Sequence, residues 1–348
     1  MSFEQAFEFP MGSGFQLRGS FRLEKAVWQG PLAFREGVLK VEGAPDLELS
    51  LSHSPATERF IYLGDYSGQD PVAGVLDTLG LSFPGDRPFQ LPGQLVLGAH
   101  RTRLTEEGVR DCLSSPSFKS LLENSGSGET MVFPVLREGM KYGLSDAVLS
   151  ISGCVCDEIV VDAHHVPDPS VPDLGRRMEL KVFKDKDLTD AEKAAVKVAV
   201  VGDSVASGTV IIGLVDELTN RFPNLERIEL VAPLAAVYGL ARIAHFSRSD
   251  VKLRIHCFET LLNALPPDYY YSPHYAEPEM HFRPEAQEAY RQWWGQDKAG
   301  NWIADTACSG YGWSEAFFNP GKQLRMIEEE LQKRHGISLQ EIVKRSIC

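Results

Sequence analysis

The sequence predicts an α/β protein built around a mostly parallel, doubly wound sheet. Between residues 101 and 265, short apolar runs alternate with segments whose apolar residues recur at helical spacing. Before residue 101, Gly, Pro and Ser divide the chain into short stretches of alternating apolar and polar residues. After residue 265 the chain is irregular and rich in aromatic residues. We therefore expect a β-rich N-terminal module over 1–100, an α/β core over 101–265, and an irregular C-terminal extension with a closing helix over 266–348.

The length and charge of the chain limit the classes of protein to which it can belong. Its 348 residues, 43% of them hydrophobic, are enough for about two domains with buried cores. With 35 Lys and Arg against 48 Asp and Glu, the formal net charge of -13 has the wrong sign for coating nucleic acid or an anionic membrane. Any anionic ligand must therefore meet a local basic patch.

The sequence also bears on cellular targeting and on the redox state of the cysteines. The N-terminus lacks the basic and apolar regions of a signal peptide, and no later apolar run is long enough to cross a bilayer, so we expect a cytoplasmic protein. Six cysteines in so long a chain do not make a disulfide framework, and the close pair Cys154 and Cys156 is spaced CxC rather than CxxC. We expect reduced thiols.

The N-terminal module shows the alternation of half-buried strands, for example at Leu47, Leu49 and Leu51. No motif within it points to a reaction, so we interpret it as a packing or dimerisation element. We also expect the protein to be a homodimer.

The core contains several segments with the apolar pattern of strands. They are residues 131–136, 157–161, 178–182, 198–201, 228–232 and 251–255. Residues 164–169 are rich in Pro and are expected to form a loop. Helices are expected after residue 209, where Ile211, Leu214, Val215 and Leu218 recur at helical spacing, and from about Leu234 to His245.

The sharpest feature of the sequence is the junction at residues 202–209, which follows the apolar run of 198–201. Its small residues can present successive amide N–H groups at a helix N-terminus, which together with the hydroxyls of Ser204, Ser207 and Thr209 suits a phosphate monoester. Asp203 would repel phosphate but can accept hydrogen bonds from the vicinal hydroxyls of a ribose. A cradle with one adjacent carboxylate therefore predicts a 5-phosphorylated ribose.

Two other phosphate motifs do not fit this junction. No Lys follows Gly208 as in a P-loop, and the GxGxxG pattern of dinucleotide-binding proteins is absent. A strand–turn–helix junction of small polar residues also occurs without any ligand, so spacing alone leaves a purely structural role open.

Residues 202–209 resemble the 5-phosphoribosyl-diphosphate loop of type I phosphoribosyltransferases. The uracil phosphoribosyltransferase branch, whose loop is roughly D-P-M-L-A-T-G-G-S, is the most similar. Three further stretches resemble that branch in the same order: 133–140 with V-P-I-L-R-A-G-L, 230–251 with V-A-x-x-x-G followed by H-P-D-V, and 300–303 with the G-Y-I that opens its uracil-binding loop. Together these matches span about residues 105–318.

The resemblance implies a set of donor-binding residues. The ribose 5-phosphate positions are Asp203, Ser204, Val205, Ala206, Ser207, Gly208 and Thr209. The pyrophosphate positions are Leu136, Arg137, Glu138 and Gly139, together with Arg176 and Arg177 in a basic segment where related enzymes keep a flap. Arg137, whose guanidinium fork matches two phosphate oxygens, and Asp203 are the implied catalytic residues.

The acceptor site departs from the family pattern. The implied acceptor-binding residues are Ala232, Ile303, Asp305 and Ser309. After Ile303 the uracil branch continues V-P-G-L-G-D-A-G-D-R, whereas this chain has A-D-T-A-C-S-G-Y-G-W-S-E. We therefore expect the base site to be rebuilt.

The resemblance implies a pentosyltransferase that transfers 5-phosphoribose from phosphoribosyl diphosphate to a nitrogen heterocycle, uracil-like or a different base, releasing pyrophosphate, as in nucleotide salvage. Mg²⁺ is the expected cofactor, held through the donor diphosphate with no protein side chain assigned as its ligand. The expected partners are the donor and a small heterocyclic acceptor, with no nucleic acid and no membrane. Two alternatives remain: a non-catalytic phosphoribosyl-diphosphate sensor, and a doubly wound protein whose loop binds another phosphate.

Overall fold

The computed structural model describes most of the N-terminal three quarters of the chain. The described residues are 2–11, 14–61, 64–65, 94–95, 98–126, 128–136, 138–170, 175–183, 188–247, 250–261, 329, 332–333 and 336–338. The predicted extension over 266–348 therefore lies almost wholly outside the described residues. No described helix is long and apolar enough to span a membrane.

The described residues form fourteen strands. They are β1 (Phe3–Pro10), β2 (Gln16–Leu23), β3 (Val27–Gln29), β4 (Leu32–Val41), β5 (Leu47–His53), β6 (Gly64–Asp65), β7 (Gln94–Leu95), β8 (Thr130–Pro134), β9 (Asp157–Glu158), β10 (Val161–Pro167), β11 (Arg176–Phe183), β12 (Val198–Gly202), β13 (Arg227–Val231) and β14 (Lys252–Phe258).

The described residues also form seven α-helices and a 3-10 turn at Gly139–Lys141. The helices are α1 (Pro55–Ile61), α2 (Gly98–Leu113), α3 (Pro116–Glu123), α4 (Leu144–Ser152), α5 (Asp190–Ala195), α6 (Thr209–Arg221) and α7 (Val237–Phe246).

One large sheet organises these elements. Its strand order is β1-β2-β4-β5-β14-β13-β12-β8-β9, with β3 paired to β4. The pairs from β5 through β14, β13, β12 and β8 to β9 are all parallel. The protein is thus a mixed α/β fold with a mostly parallel central sheet, and every residue of β8 and β12 is buried, as expected for strands covered on both faces. The doubly wound arrangement of the helices stays a prediction.

The N-terminal strands continue the central sheet. β1, β2, β4 and β5 pair antiparallel in succession, and β5 then pairs in parallel with β14, where Leu49 lies opposite Ile255. Phe9 packs edge-on against Tyr238 of α7, with ring centroids 5.4 Å apart. The N-terminal region therefore shares one apolar core with the rest of the fold, and the proposed division at residue 100 stays a prediction.

The prediction of a loop at 164–169 is wrong for its first four residues. Residues His164 to Pro167 belong to β10, which pairs antiparallel with β11 in a separate two-stranded sheet. The strand tolerates Pro167 because this residue lies at its end, opposite Arg176, where few ladder hydrogen bonds depend on an N–H. The strand predicted at 178–182 is confirmed within β11, but it lies outside the central sheet.

Candidate functional site

The candidate site is the loop from Asp203 to Gly208, which we call the phosphate loop. It joins the carboxyl end of β12, a central strand between β13 and β8, to α6. Gly208 has φ of +75°, and a Cβ on it would lie 2.5 Å from the carbonyl oxygen of Gly239 in α7. Only glycine fits this conformation and this close approach.

Two backbone hydrogen bonds anchor the start of the phosphate loop. The Asp203 amide donates to the Val231 carbonyl at 3.2 Å, and the Val205 amide donates to the Leu234 carbonyl at 2.9 Å. Both acceptors follow or end β13, the neighbouring parallel strand. The loop is therefore held by the strand order of the sheet.

The second half of the phosphate loop presents amide donors. The amides of Ala206, Ser207 and Gly208 have no hydrogen-bond acceptor among the described residues. Gly208 is the N-cap of α6 and provides no side-chain cap. Unpaired amides at the positive end of a helix dipole can bind an anion, and we call residues 206–208 the cradle. The phosphate-binding role expected from the sequence stays a prediction.

The hydroxyls of the loop differ in their surroundings. Ser207 Oγ and Thr209 Oγ1 lie 3.0 Å apart beside the cradle. Ser204 is buried, and its Oγ lies 3.0 Å from the Tyr142 hydroxyl. Val205 is also buried, in the apolar core. The predicted contacts of Ser204 and Val205 with a phosphate stay predictions.

Arg242 of α7 lies directly beneath the cradle. Its Nη1 donates to the Ser207 carbonyl and, at 3.0 Å, to Thr209 Oγ1. The residue is only 5% exposed. Sequence reasoning missed it, because a single Arg in an apolar helix 33 residues beyond Thr209 carries no local signal of a role at the loop.

Asp203 lies half-buried at the end of β12, as the sequence predicts. Burial raises the pKa of its carboxyl well above the usual value, the negative charge of Glu138 raises it further, and a hydrogen bond from the Ser204 amide opposes the shift. Two carboxylates that oppose each other's ionisation make a site that donors or a cation would stabilise.

Glu138 belongs to the loop after β8, which carries the predicted pyrophosphate residues. The Val135 amide donates to the Gly202 carbonyl at 2.9 Å, and the Leu136 amide donates to the Val161 carbonyl at 2.7 Å. A Cβ on Gly139 would lie 2.2 Å from the Gly202 carbonyl oxygen. Glycine at 139 thus lets this loop pack against the start of the phosphate loop. Arg137 lies outside the described residues.

The other predicted site residues have no described contact with the phosphate loop. Arg177 is exposed and forms an ion pair with Asp168 at 3.6 Å within the β10–β11 hairpin. Ala232 follows β13, is fully buried, and donates its amide to the His256 carbonyl at 2.8 Å. The backbone of Arg176 lies in β11. Three predicted acceptor residues lie outside the described residues: Ile303, Asp305 and Ser309.

In the described part of the chain, no group of three or more His, Cys, Asp or Glu side chains is arranged to hold a metal ion. Asp203 and Glu138 are the carboxylates next to the cradle, and oxygen ligands of this type suit Mg²⁺.

Comparison with known proteins gives matches among solved structures. No protein-family model and no curated protein matches this chain. A hypoxanthine phosphoribosyltransferase from Staphylococcus aureus is 11% identical, with a TM-score of 0.30, and the match covers 48% of this chain and 77% of that one. The hypoxanthine phosphoribosyltransferase from Trypanosoma cruzi, in complex with the product IMP, is 11% identical, with a TM-score of 0.29 and coverage of 52% and 92%. A hypothetical protein from Neisseria gonorrhoeae with bound ppGpp is 9% identical, with a TM-score of 0.28 and coverage of 43% and 77%.

Identities of 9–11% and TM-scores of 0.28–0.30 do not indicate what the chain does. Both of the enzymes are described as hypoxanthine phosphoribosyltransferases. The resemblance of the sequence to the uracil branch therefore gains no support from them.

Proposed function

We propose that this protein is a phosphoribosyltransferase that transfers 5-phosphoribose from phosphoribosyl diphosphate to a nitrogen heterocycle. The observation that carries the proposal is the pairing of an amide cradle at residues 206–208 with the Asp203 carboxylate at the end of one strand. A phosphate monoester and a vicinal diol are the two groups that such a pair recognises. Ribose 5-phosphate carries both groups on one small molecule.

The phosphate loop would hold the donor by its sugar phosphate. The amides of the cradle and the hydroxyls of Ser207 and Thr209 would bind the 5-phosphate, and Asp203 would accept hydrogen bonds from the ribose hydroxyls. Because burial and Glu138 raise the pKa of Asp203, donors from a bound diol would stabilise its ionised form. Binding of the sugar would thus offset the burial and the Glu138 charge that disfavour the ionised Asp203 carboxylate.

The leaving group would lie beside residues 136–139, of which Gly139 packs against the Gly202 carbonyl, just before the phosphate loop. Arg137 would disperse the charge of the departing diphosphate through its guanidinium fork. Mg²⁺ held through the donor diphosphate would neutralise the charge of the leaving group, and Glu138 would contact the ion directly or through water. No side-chain nucleophile is required, because holding donor and acceptor in line supplies much of the catalysis.

The acceptor is proposed to be uracil-like or a different heterocyclic base, held by Ala232, Ile303, Asp305 and Ser309. The departure of this chain from the uracil pattern after Ile303 favours a base other than uracil. A panel of pyrimidines, purines and other heterocycles is therefore needed to identify it.

A non-catalytic sensor of phosphoribosyl diphosphate is the second candidate. One observation favours it: Arg177, expected to reach the diphosphate, forms an ion pair with Asp168 within its own hairpin. A sensor needs the phosphate loop but has less need to stabilise a leaving group.

The test is pyrophosphate release from phosphoribosyl diphosphate with Mg²⁺ and each acceptor of the panel. We expect release with at least one acceptor, and loss of that release in the Asp203→Asn variant. Asp216→Asn, which removes an exposed carboxylate from α6, is the matched control and should retain activity. Donor binding without turnover on any acceptor would favour the sensor, and no donor binding at all would refute both candidates.

A further inference from the structure

Arg242 contacts the end of the phosphate loop and Thr209, the first residue of α6. Its position limits the directions in which the Ser207 and Thr209 hydroxyls can donate hydrogen bonds. Its guanidinium contacts the loop at two atoms, the Ser207 carbonyl oxygen and Thr209 Oγ1. The rings of Tyr238 and Phe246, one turn before and after it on α7, lie 5.8 and 5.7 Å from its guanidinium carbon. These contacts leave the guanidinium little freedom to turn away from the loop.

The direction of the hydrogen bonds follows from the chemistry of the three groups. A guanidinium only donates, so Thr209 Oγ1 must accept from Arg242. Thr209 and Ser207 share one hydrogen bond at 3.0 Å, and one of the two hydroxyls supplies its proton. The other hydroxyl then has a proton left over.

That remaining proton needs an acceptor outside the pair. Among the described residues, neither Ser207 Oγ nor Thr209 Oγ1 has a further acceptor. The adjacent amides of Ala206, Ser207 and Gly208 are also donors without acceptors in that part of the chain. The cradle therefore presents only hydrogen-bond donors to a ligand. The buried guanidinium of Arg242 lies on the opposite side of the loop.

We propose that Arg242 is a positioning residue that orients the Ser207–Thr209 hydroxyl pair so that its one remaining proton is donated to the ligand, and the cradle takes a phosphate monoester as its dianion. This inference rests on the proposed phosphate-binding role of the loop. A donor-only site matches a dianion, since the protonated oxygen of a monoanion would face a donor instead of an acceptor. Arg242 acts through Thr209 and the Ser207 carbonyl, at the back of the loop.

The experiment measures binding of ribose 5-phosphate and of ribose to the full-length protein by calorimetry. The variants are Arg242→Gln, Arg242→Lys and Thr209→Val, with Thr209→Ser as the conservative rescue. We expect Arg242→Gln and Thr209→Val to weaken ribose 5-phosphate about tenfold or more and Thr209→Ser to bind nearly as wild type. Arg221→Gln, which removes a cation from the far end of α6, is the control and should change little.

A second readout separates orientation from simple structural support. Phosphorus NMR gives the pKa of the bound 5-phosphate, whose second ionisation lies at about 6 in free phosphate esters. The wild type should lower this pKa, and Arg242→Gln and Thr209→Val should return it toward the free value. A merely structural role of Arg242 would weaken binding without moving this pKa.

The outcomes distinguish this inference from the proposed function. If the wild type binds ribose 5-phosphate and Arg242→Gln and Thr209→Val bind it equally well with the same phosphate pKa, the inference is refuted while transferase activity can stand. If the wild type and its variants behave as expected but no acceptor supports pyrophosphate release, the inference stands and the enzyme proposal fails. If the folded wild type binds no ribose 5-phosphate, the inference is also refuted.

Discussion

The Tyr142 hydroxyl lies 3.0 Å from Ser204 Oγ, and both side chains are buried. This hydrogen bond joins the segment after β8 to the phosphate loop, across 62 residues of sequence. The two loops also pack through Gly139 and the Gly202 carbonyl. The segment proposed to hold the leaving group is thus coupled to the segment proposed to hold the sugar phosphate.

We expect Tyr142→Phe to lower the free energy of unfolding by about 1 kcal/mol, because it leaves the buried Ser204 hydroxyl without its partner. Urea unfolding of Tyr142→Phe, Ser204→Ala and the double variant measures the coupling in a double-mutant cycle. We expect a coupling energy near 1 kcal/mol. Strictly additive effects would show that the contact contributes nothing.

Asp203→Asn should have opposite effects on stability and binding. Burial and Glu138 raise the pKa of Asp203 in the folded protein, so the native state binds this proton more tightly than the unfolded chain. Stability therefore falls as pH rises from the unfolded-state value through the folded-state pKa. The Asn variant should lack this loss and unfold at a higher temperature than wild type above that range.

The same variant should bind ribose 5-phosphate more weakly, by roughly 1 to 3 kcal/mol if Asp203 holds both ribose hydroxyls. Thermal unfolding at several pH values, together with calorimetric titration, measures both effects. Glu138→Gln should reduce the pH dependence of stability, because it removes one cause of the raised Asp203 pKa. Unchanged affinity in Asp203→Asn would contradict the role assigned to this carboxylate.

Gly239→Ala should destabilise the protein and weaken phosphate binding. A Cβ on Gly239 would lie 2.2 Å from the Ala206 carbonyl oxygen, so the phosphate loop must move away from α7. In a helix interior without this contact, Ala would be favoured over Gly by about 1 kcal/mol. We therefore expect a net loss of about 1 to 3 kcal/mol from the clash.

Gly213→Ala in α6 is the matched control for Gly239→Ala. Its Cβ would meet only Met178 Cβ and Cγ, at 3.3 and 3.4 Å, so a shift of a few tenths of an ångström would accommodate it. Chemical unfolding and ribose 5-phosphate titration should show little loss in the control. Equal behaviour of the two variants would mean that the approach of α7 to the phosphate loop is not essential.

His256 should make stability depend on pH near neutrality. Burial by itself would lower its pKa, but its interactions with Cys112 and Glu229 raise it, to about 9 from 6.5. The His256 Nε2 lies 2.5 Å from Glu229 Oε2, and both side chains are fully buried. Because the pKa of His256 is higher in the folded state, protonation of this side chain stabilises the folded protein. The stabilisation is complete below about pH 6.5 and is lost as the pH rises to about 9.

The expected loss between pH 6.5 and 9 is about 3 kcal/mol. Urea unfolding across this range measures it. His256→Gln should be less stable than wild type at pH 6.5, because Glu229 loses its buried partner, and it should show a much flatter profile. A wild-type profile as flat as that of the variant would refute the charged pair.

Sequence patterns correctly located the strand and the helix that flank the phosphate loop. Residues 198–201 lie in buried β12, and Ile211, Leu214, Val215 and Leu218 are all buried on α6, as their spacing predicts. Such patterns are local, because side-chain direction repeats with a short period in strands and helices.

Predictions of secondary structure were wrong where a segment forms hydrogen bonds with a segment distant in sequence. The helix expected from Leu234 begins at Val237, because Leu234 and Ala236 instead hydrogen bond to Val205 of the phosphate loop. Residues His164 to Pro167 form a strand because β11 pairs with them. Neither pairing has a signature in the local sequence.

The sequence by itself determined the strand, the glycine-containing turn and the helix that together make an anion cradle, and it placed one carboxylate beside them. Only the tertiary structure decided that Arg242 contacts Ser207 and Thr209 and that Tyr142 contacts Ser204. These residues come from different segments and meet because parallel pairing aligns the carboxyl ends of β8, β12 and β13 at one edge of the sheet. Which strands become neighbours depends on long-range packing, which no short sequence pattern encodes.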